Sequence, residues 1–257
     1  MKKIGLLAAA AAVMIATPAA SEGYVGARYN TGSVDTGVDE DYDGWQGEGA
    51  FGWNSGGSWG GQVGGGFGHL ETDSGGEDDY YRFDGHLYWT GGGGFRIGGV
   101  IATTNLDDTD IQETVYGLEG AIDNANSRFW GAATLGTIET GGADYDTWNA
   151  DAGVDFFANP NFRIGGNVGV GSVDDADFDT FSAGINAEIQ PWSAPVSIYG
   201  GWQIFNIDGG GADFDANSFI IGGRWNFGGG SVQDRSNAIP FRTNTQYAAR
   251  LFDVGPR

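Results

Sequence analysis

The side chains here that could do chemistry are 2 histidines and 34 carboxylates, set against 12 lysines and arginines and no cysteine, for a net charge of −22. Asp84 and His86 stand two residues apart. That spacing puts both on one face of a strand, where a carboxylate could orient an imidazole as a base. No nucleophile can be named to go with them, and the G-x-S-x-G elbow of serine hydrolases is absent. The pair therefore reads as structural and the chain as a non-enzyme. Asp39-Glu40-Asp41-Tyr42-Asp43-Gly44 matches the first half of an EF-hand loop, with Asp39, Asp41 and Asp43 as candidate ligands. Ala50 occupies the twelfth position, where that loop needs a bidentate Glu. The expectation is loose calcium or magnesium association at acidic segments and no resident cofactor. Gly91–Gly94 lacks the Lys-Ser/Thr of a phosphate loop. The missing cysteines exclude disulfides and thiolate metal sites, and the acidity argues against nucleic-acid phosphates as a partner.

Positioning these groups falls to a chain with 49 glycines, 9 Trp, 10 Tyr and 16 Phe, whose dominant period is two. Trp45, Phe51 and Trp53 alternate with Gln46 and Glu48, and Tyr81, Phe83, Leu87 and Trp89 with Arg82, Asp84 and His86. Trp148, Val154 and Phe156 alternate with Asn149, Asp151 and Asp155, and Phe219, Ile221, Trp225 and Phe227 with Arg224 and Asn226. Such alternation is the strand signature. It predicts twelve strands, near 23–34, 44–54, 58–68, 80–90, 95–105, 113–123, 127–137, 147–157, 162–173, 180–190, 196–207 and 217–227. Segments of this length suit a tilted strand that crosses a bilayer better than an ordinary globular strand. A hairpin repeat supports the count: Phe95-Arg96-Ile97-Gly98-Gly99 recurs as Phe162-Arg163-Ile164-Gly165-Gly166.

Two sorts of connection alternate along the chain. Short ones fall at 55–57, 91–94, 124–126, 158–161 and 191–195. Longer acidic ones fall at 35–43, 69–79, 106–112, 138–146, 174–179 and 208–216, and these hold most of the 34 acids and no Lys or Arg. Asp-aromatic-Asp triads at 41–43, 144–146, 177–179 and 213–215 precede strands entering from the acidic side. Aromatics gather near both strand ends, as expected of belts at two bilayer interfaces. The polar parity collects Arg28, Glu48, Arg82, Asp84, His86, Arg96, Glu119, Arg128, Asp151, Asp155, Arg163, Glu188 and Arg224, which are read as pore-lining. Lys2, Lys3, the apolar run Ile4–Ile15 and the small residues to Ala20 read as a signal peptide over 1–20.

With these features the chain resembles small, porin-like outer-membrane β-barrel proteins of Gram-negative bacteria. Ile221-Gly222-Gly223-Arg224-Trp225-Asn226-Phe227 looks like the terminal insertion signal of that family. The resemblance implies an all-β, twelve-stranded antiparallel up-and-down transmembrane barrel over 23–227, placed in the cell outer membrane with both ends periplasmic. It further implies outer-membrane lipid, lipopolysaccharide and the barrel-assembly machinery as partners. Two departures stand out: the chain is too short for a sixteen-stranded trimeric porin, and residues 228–257 continue beyond Phe227. That stretch is expected as a disordered periplasmic extension, with Asn244–Asp253 able to form one short helix; the alternatives are a plug against lumen acids or a contact with periplasmic polymer or protein. The functional expectation is passive diffusion of small hydrophilic solutes or ions with a mild cation preference. The alternative is a closed structural or surface-interaction barrel whose acidic loops bind cations, lipopolysaccharide or a partner. Substrate and oligomeric state are not legible in the sequence.

Overall fold

A computed structural model of the chain describes residues 21–241 apart from 56, 175–176, 192–193 and 210–213. The signal peptide over 1–20 and the helix expected at Asn244–Asp253 lie outside the described residues. The strands are β1 (Ser21–Asp35), β2 (Asp39–Asn54), β3 (Trp59–Thr72), β4 (Glu77–Thr90), β5 (Phe95–Leu106) and β6 (Ile111–Asp123), followed by β7 (Ser127–Thr140), β8 (Ala143–Asn159), β9 (Phe162–Val173), β10 (Phe178–Ile189), β11 (Val196–Gly209) and β12 (Phe214–Phe227). Each pairs antiparallel with its sequence neighbours, and β1 pairs with β12 to close the barrel. Closure satisfies every strand edge, which is what lets a sheet stand in hydrocarbon. Among the described residues one helix, α1 (Val232–Ala238), follows the last strand. Among the described residues no helix is long and apolar enough to cross a membrane, which says nothing about crossing by strands.

The strands match the sequence reading in number and order but run further at the acidic end. What reads as longer acidic loops folds largely as strand, joined at residues 36–38, 73–76, 107–110 and 141–142 among others. The reason is visible in the Asp-aromatic-Asp triads. In Asp41-Tyr42-Asp43 the aromatic points inward and is buried while both acids are exposed, so alternation continues through the acidic stretch. Asp144-Tyr145-Asp146 lies inside β8 with the same alternation, Tyr145 half-buried between two exposed acids. Asp213, in the last triad, lies outside the described residues. The reversal from β7 to β8 takes two residues, Gly141 and Gly142, at φ 58 and 84. Such a turn matches the right-handed twist of its strands and demands residues free of a Cβ penalty. A strand of 14 residues such as β11, rising about 3.3 Å per residue at about 40° tilt, climbs roughly 35 Å. The apolar band of an outer-membrane barrel is about 25 Å tall. The overhang carries the acids.

The outer face is apolar. Leu118, Ile221, Ile185, Leu87, Tyr116 and Ile101 are the most exposed large hydrophobics within the strands. Trp59, Trp89, Phe95, Phe129, Phe156 and Trp225 lie outward near the end that carries both barrel termini, and Trp45, Phe67, Trp148 and Phe181 lie outward towards the acidic end. Trp45 and Phe67 meet edge to face at 5.7 Å. The inner face holds the buried polar and charged residues, and the six arginines of the barrel lie on it, four of them buried. A water-soluble sheet packs its apolar face inward; this one is inverted, as a lipid-facing barrel requires. Leu118 is 67% exposed near the middle of β6. Leu118→Arg is expected to destabilise the barrel by about 2–4 kcal/mol, read as a lower urea midpoint in lipid vesicles. An unchanged midpoint would mean that this face does not meet hydrocarbon.

Candidate functional site

The candidate site is the interior, which is organised in three levels. At the acidic end every strand contributes an inward apolar residue: Val34, Tyr42, Leu70, Tyr80, Leu106 and Ile111 on β1–β6, then Ile138, Tyr145, Val173, Phe178, Ile207 and Phe214 on β7–β12. Phe205 and Ala216 pack into the same collar, with Phe205 and Phe214 edge to face at 6.3 Å. Sequence reasoning missed this collar. Its signal was the apolar residue that alternates with acids in each overhang, a pattern hidden by reading the overhangs as loops.

Beneath the collar is a neutral polar level. Thr134, Asn149 and Thr180 lie on one inward row, with Gly171 between the last two, across β7, β8, β9 and β10. Each of the three side chains is buried, as is Thr147 one step towards the collar. Their hydroxyl oxygens, and both polar atoms of the Asn149 amide, make no hydrogen bond within the protein. Buried polar atoms without a protein partner call for water or a solute beside them.

The charged level comes next. Glu48 is one hub: Arg28 and Arg82 each approach it at 3.7 Å, Arg224 at 2.9 Å, and the Tyr199 hydroxyl donates to it at 2.8 Å. Glu48 on β2 and Arg224 on β12 both pair in register with Gly26 of β1. A Cβ at Gly26 would meet the Arg224 side chain, so the glycine lets the guanidinium cross β1 at the seam where the barrel closes. Tyr24 and Tyr199 present their ring faces to that guanidinium at 4.2 and 4.4 Å. Glu188 is the second hub, with Ser197 at 2.5 Å, Arg224 at 3.5 Å, Arg163 at 4.0 Å, and Arg235 of α1. Arg163 also meets Asp155 at 3.3 Å. Asp123 binds Arg96 and Arg128. Asp151 packs over Gly169.

All thirteen residues read from parity thus lie on the inner wall; Arg82 and Arg96 are the least covered of them. Glu113 and Asp123 also face inward and were missed, although both share the parity of Glu119 on β6. Asp84 and His86 do meet, at 3.0 Å, but the other ring nitrogen of His86 is held by Glu119 at 2.8 Å and Phe241 stacks on the ring. Both nitrogens are engaged, which leaves none to accept a proton from a substrate. Asp39, Asp41 and Asp43 are exposed at alternate positions along β2 and do not converge on one point. Among the described residues the group within reach of one ion is His69, Glu71 and Glu77, on the β3–β4 hairpin.

No family model matches the sequence, and no curated protein matches it. Solved structures do. An outer membrane channel from Pseudomonas putida F1 is 10% identical, with 82% of this chain and 97% of that chain covered and a TM-score of 0.58. The NanC porin is 8% identical over 77% and 98%, with a TM-score of 0.58. The KdgM porin in complex with disordered oligogalacturonate is 8% identical over 78% and 98%, with a TM-score of 0.52. The fold is that of a small porin-like outer-membrane β-barrel. At such identities the likeness speaks for architecture alone.

Removing one partner of a buried ion pair strands the others, at a cost of about 3–5 kcal/mol. Glu48→Ala leaves Arg28, Arg82 and Arg224 without their shared carboxylate. It is expected to lose about that much stability by urea unfolding. A loss below about 1 kcal/mol would mean that water already screens the hub.

Proposed function

We propose that the protein is a channel of the outer membrane for small hydrophilic solutes or ions. The observation that carries this reading is the neutral level of the interior, where inward-facing hydroxyls and the Asn149 amide have no protein partner and are left for water or solute to satisfy. A barrel built only for strength would fill that level with apolar or mutually bonded side chains. Polar residues lining a wall that is apolar outside supply a route for solutes that hydrocarbon excludes.

The terminal end faces the periplasm in this reading and the acidic end faces outward. Asp35, Asp39, Asp41, Asp43, Asp144, Asp146 and Asp215 are among the exposed acids that ring the outer mouth. Charge of one sign at a mouth concentrates counter-ions there, which supports a mild cation preference. The same crown supports the second reading, a surface that gathers divalent cations and through them lipopolysaccharide phosphates, with His69, Glu71 and Glu77 as its tightest grouping. Neither reading needs a resident cofactor or a catalytic group.

The test is the pure protein in a planar bilayer. Stepwise currents are expected, with a reversal potential of cation sign in a salt gradient. Changing Asp35, Asp39, Asp41 and Asp43 to asparagine should lower the cation-to-anion permeability ratio by about twofold, an effect that fades as salt shortens the screening length. Silence under all conditions from folded protein, together with saturable calcium binding, would favour the surface reading and end the channel reading.

A further inference from the structure

The chain does not leave the barrel after β12. Gly228, Gly229 and Gly230 take φ values of 95, 85 and 89, a left-handed run that only glycine makes without strain. It turns the backbone back towards the lumen. Ser231 then caps α1 through a reciprocal box with Asp234. Partners of the returning segment lie all round the wall. Arg235 reaches Glu188 on β10, and Arg128 on β7 donates to the Ser236 carbonyl and to Asn237. Ile239 packs with Tyr24 and Ala50 on β1 and β2. Gln62 on β3 exchanges two hydrogen bonds with the Phe241 backbone, at 2.9 and 3.2 Å. The Phe241 ring sits with Tyr88, Ala121 and Trp130, against His86. A segment touching β1, β2, β3, β4, β6, β7 and β10 at once lies inside the barrel, across its terminal end.

We propose that residues 231–241 form a self-inhibitory plug that withdraws from and re-enters the lumen as a unit about Gly228–Gly230, and that its withdrawal opens the inner end to solute. The gating half of this rests on the channel reading above. Two features mark a removable part rather than a fixed core. First, every lumen charge the plug uses keeps another partner when the plug leaves. Glu188 retains Ser197, Arg224 and Arg163; Arg128 retains Asp123; His86 retains Asp84 and Glu119. Arg235 enters water and needs no partner there. A permanent core would share its charges without such redundancy, because stranding one inside is costly. Second, α1 has 7 residues, too few to hold as a helix in water. Its order therefore depends on docking, so the segment should undock in one step rather than fray by degrees.

The chain has no cysteine, so introduced thiols report without background. In the full chain refolded into lipid, Ser236→Cys puts a thiol at a position that is 1% exposed. Its labelling by a charged maleimide should be slow, and at least tenfold faster when Arg235→Ala or Phe241→Ala is added; heat-modifiable gel mobility checks that each variant retains its barrel. Equal rates in all three would overturn the mobile plug. Currents through Ala50→Cys/Ile239→Cys should fall at least tenfold on oxidation and return with reductant. Equal currents in both states would overturn the gate while leaving the channel reading intact. If labelling responds but no form conducts, the channel reading fails and gating with it, whereas the mobile segment stands.

Discussion

A charge on the inner wall of a closed barrel faces neither hydrocarbon nor bulk water, and it must find its partner on a nearby strand of the same wall. The rest of this structure follows from that requirement. Twelve strands enclose a backbone tube of roughly 24 Å, and the charges find their partners along its wall, on strands one or two removed. Glu48 gathers three arginines from β1, β4 and β12. Glu188 gathers two from β9 and β12 and a third from the returning C-terminal segment. Because Arg224 belongs to both hubs, the seam at β12 and β1 is tied by a network rather than by ladder hydrogen bonds alone. Pairs buried in this way do little for net stability compared with apolar packing. What they supply is registry, since each guanidinium fits one place on the wall.

The same geometry accounts for the glycines. A charged or aromatic side chain that lies along the wall must pass over a neighbouring strand, and a Cβ beneath it would be in the way. Tyr88 lies over Gly60, Tyr80 over Gly68, Tyr199 over Gly222 and Asp84 over Gly64. Outside, Phe67 covers Gly47 and Trp53 covers Gly61. Glycine weakens a strand when nothing packs on it. Here the neighbour's ring restores the contact, so the cost is recovered as aromatic cover. A sheet this rich in glycine is the complement of one this rich in large flat side chains.

Period-two alternation made the barrel legible in the sequence, and with it the inward parity of the arginines, because a slip of one residue would bring those charges into lipid. The limits of the strands were less legible, since acid-rich stretches look like loops until the inward Tyr42 or Tyr145 is noticed. Glu113 was overlooked in a strand whose apolar alternation is faint, although its spacing from Glu119 shows the shared face. Convergence was not legible at all. Nothing in the spacing says that Arg224 and Arg235 reach one carboxylate, or that Asp39, Asp41 and Asp43 stay apart. The tail reading placed its helix at Asn244–Asp253 and passed over Ser231-x-x-Asp234, whose spacing is that of the capping box at α1.

The interior carries inward apolar side chains at the acidic end and, at the other, a charged, hydrogen-bonded segment that lies across the lumen. Every residue of the collar belongs to a strand of the barrel, so widening it means moving the wall. The C-terminal segment belongs to no strand, and its polar contacts can be exchanged for water. Of the two, the segment is the part that can change without disturbing the sheet. A solute admitted past the collar would meet first the neutral level at Thr134, Asn149 and Thr180, and then the charged hubs. Removing the segment takes one positive group, Arg235, from the Glu188 hub and exposes Arg128 to the lumen. An open inner end would thus be governed by wall arginines as well as by carboxylates, while the acidic crown stays fixed at the other mouth. Selectivity in such a tube is set by two rings of opposite tendency in series, and the narrower one prevails.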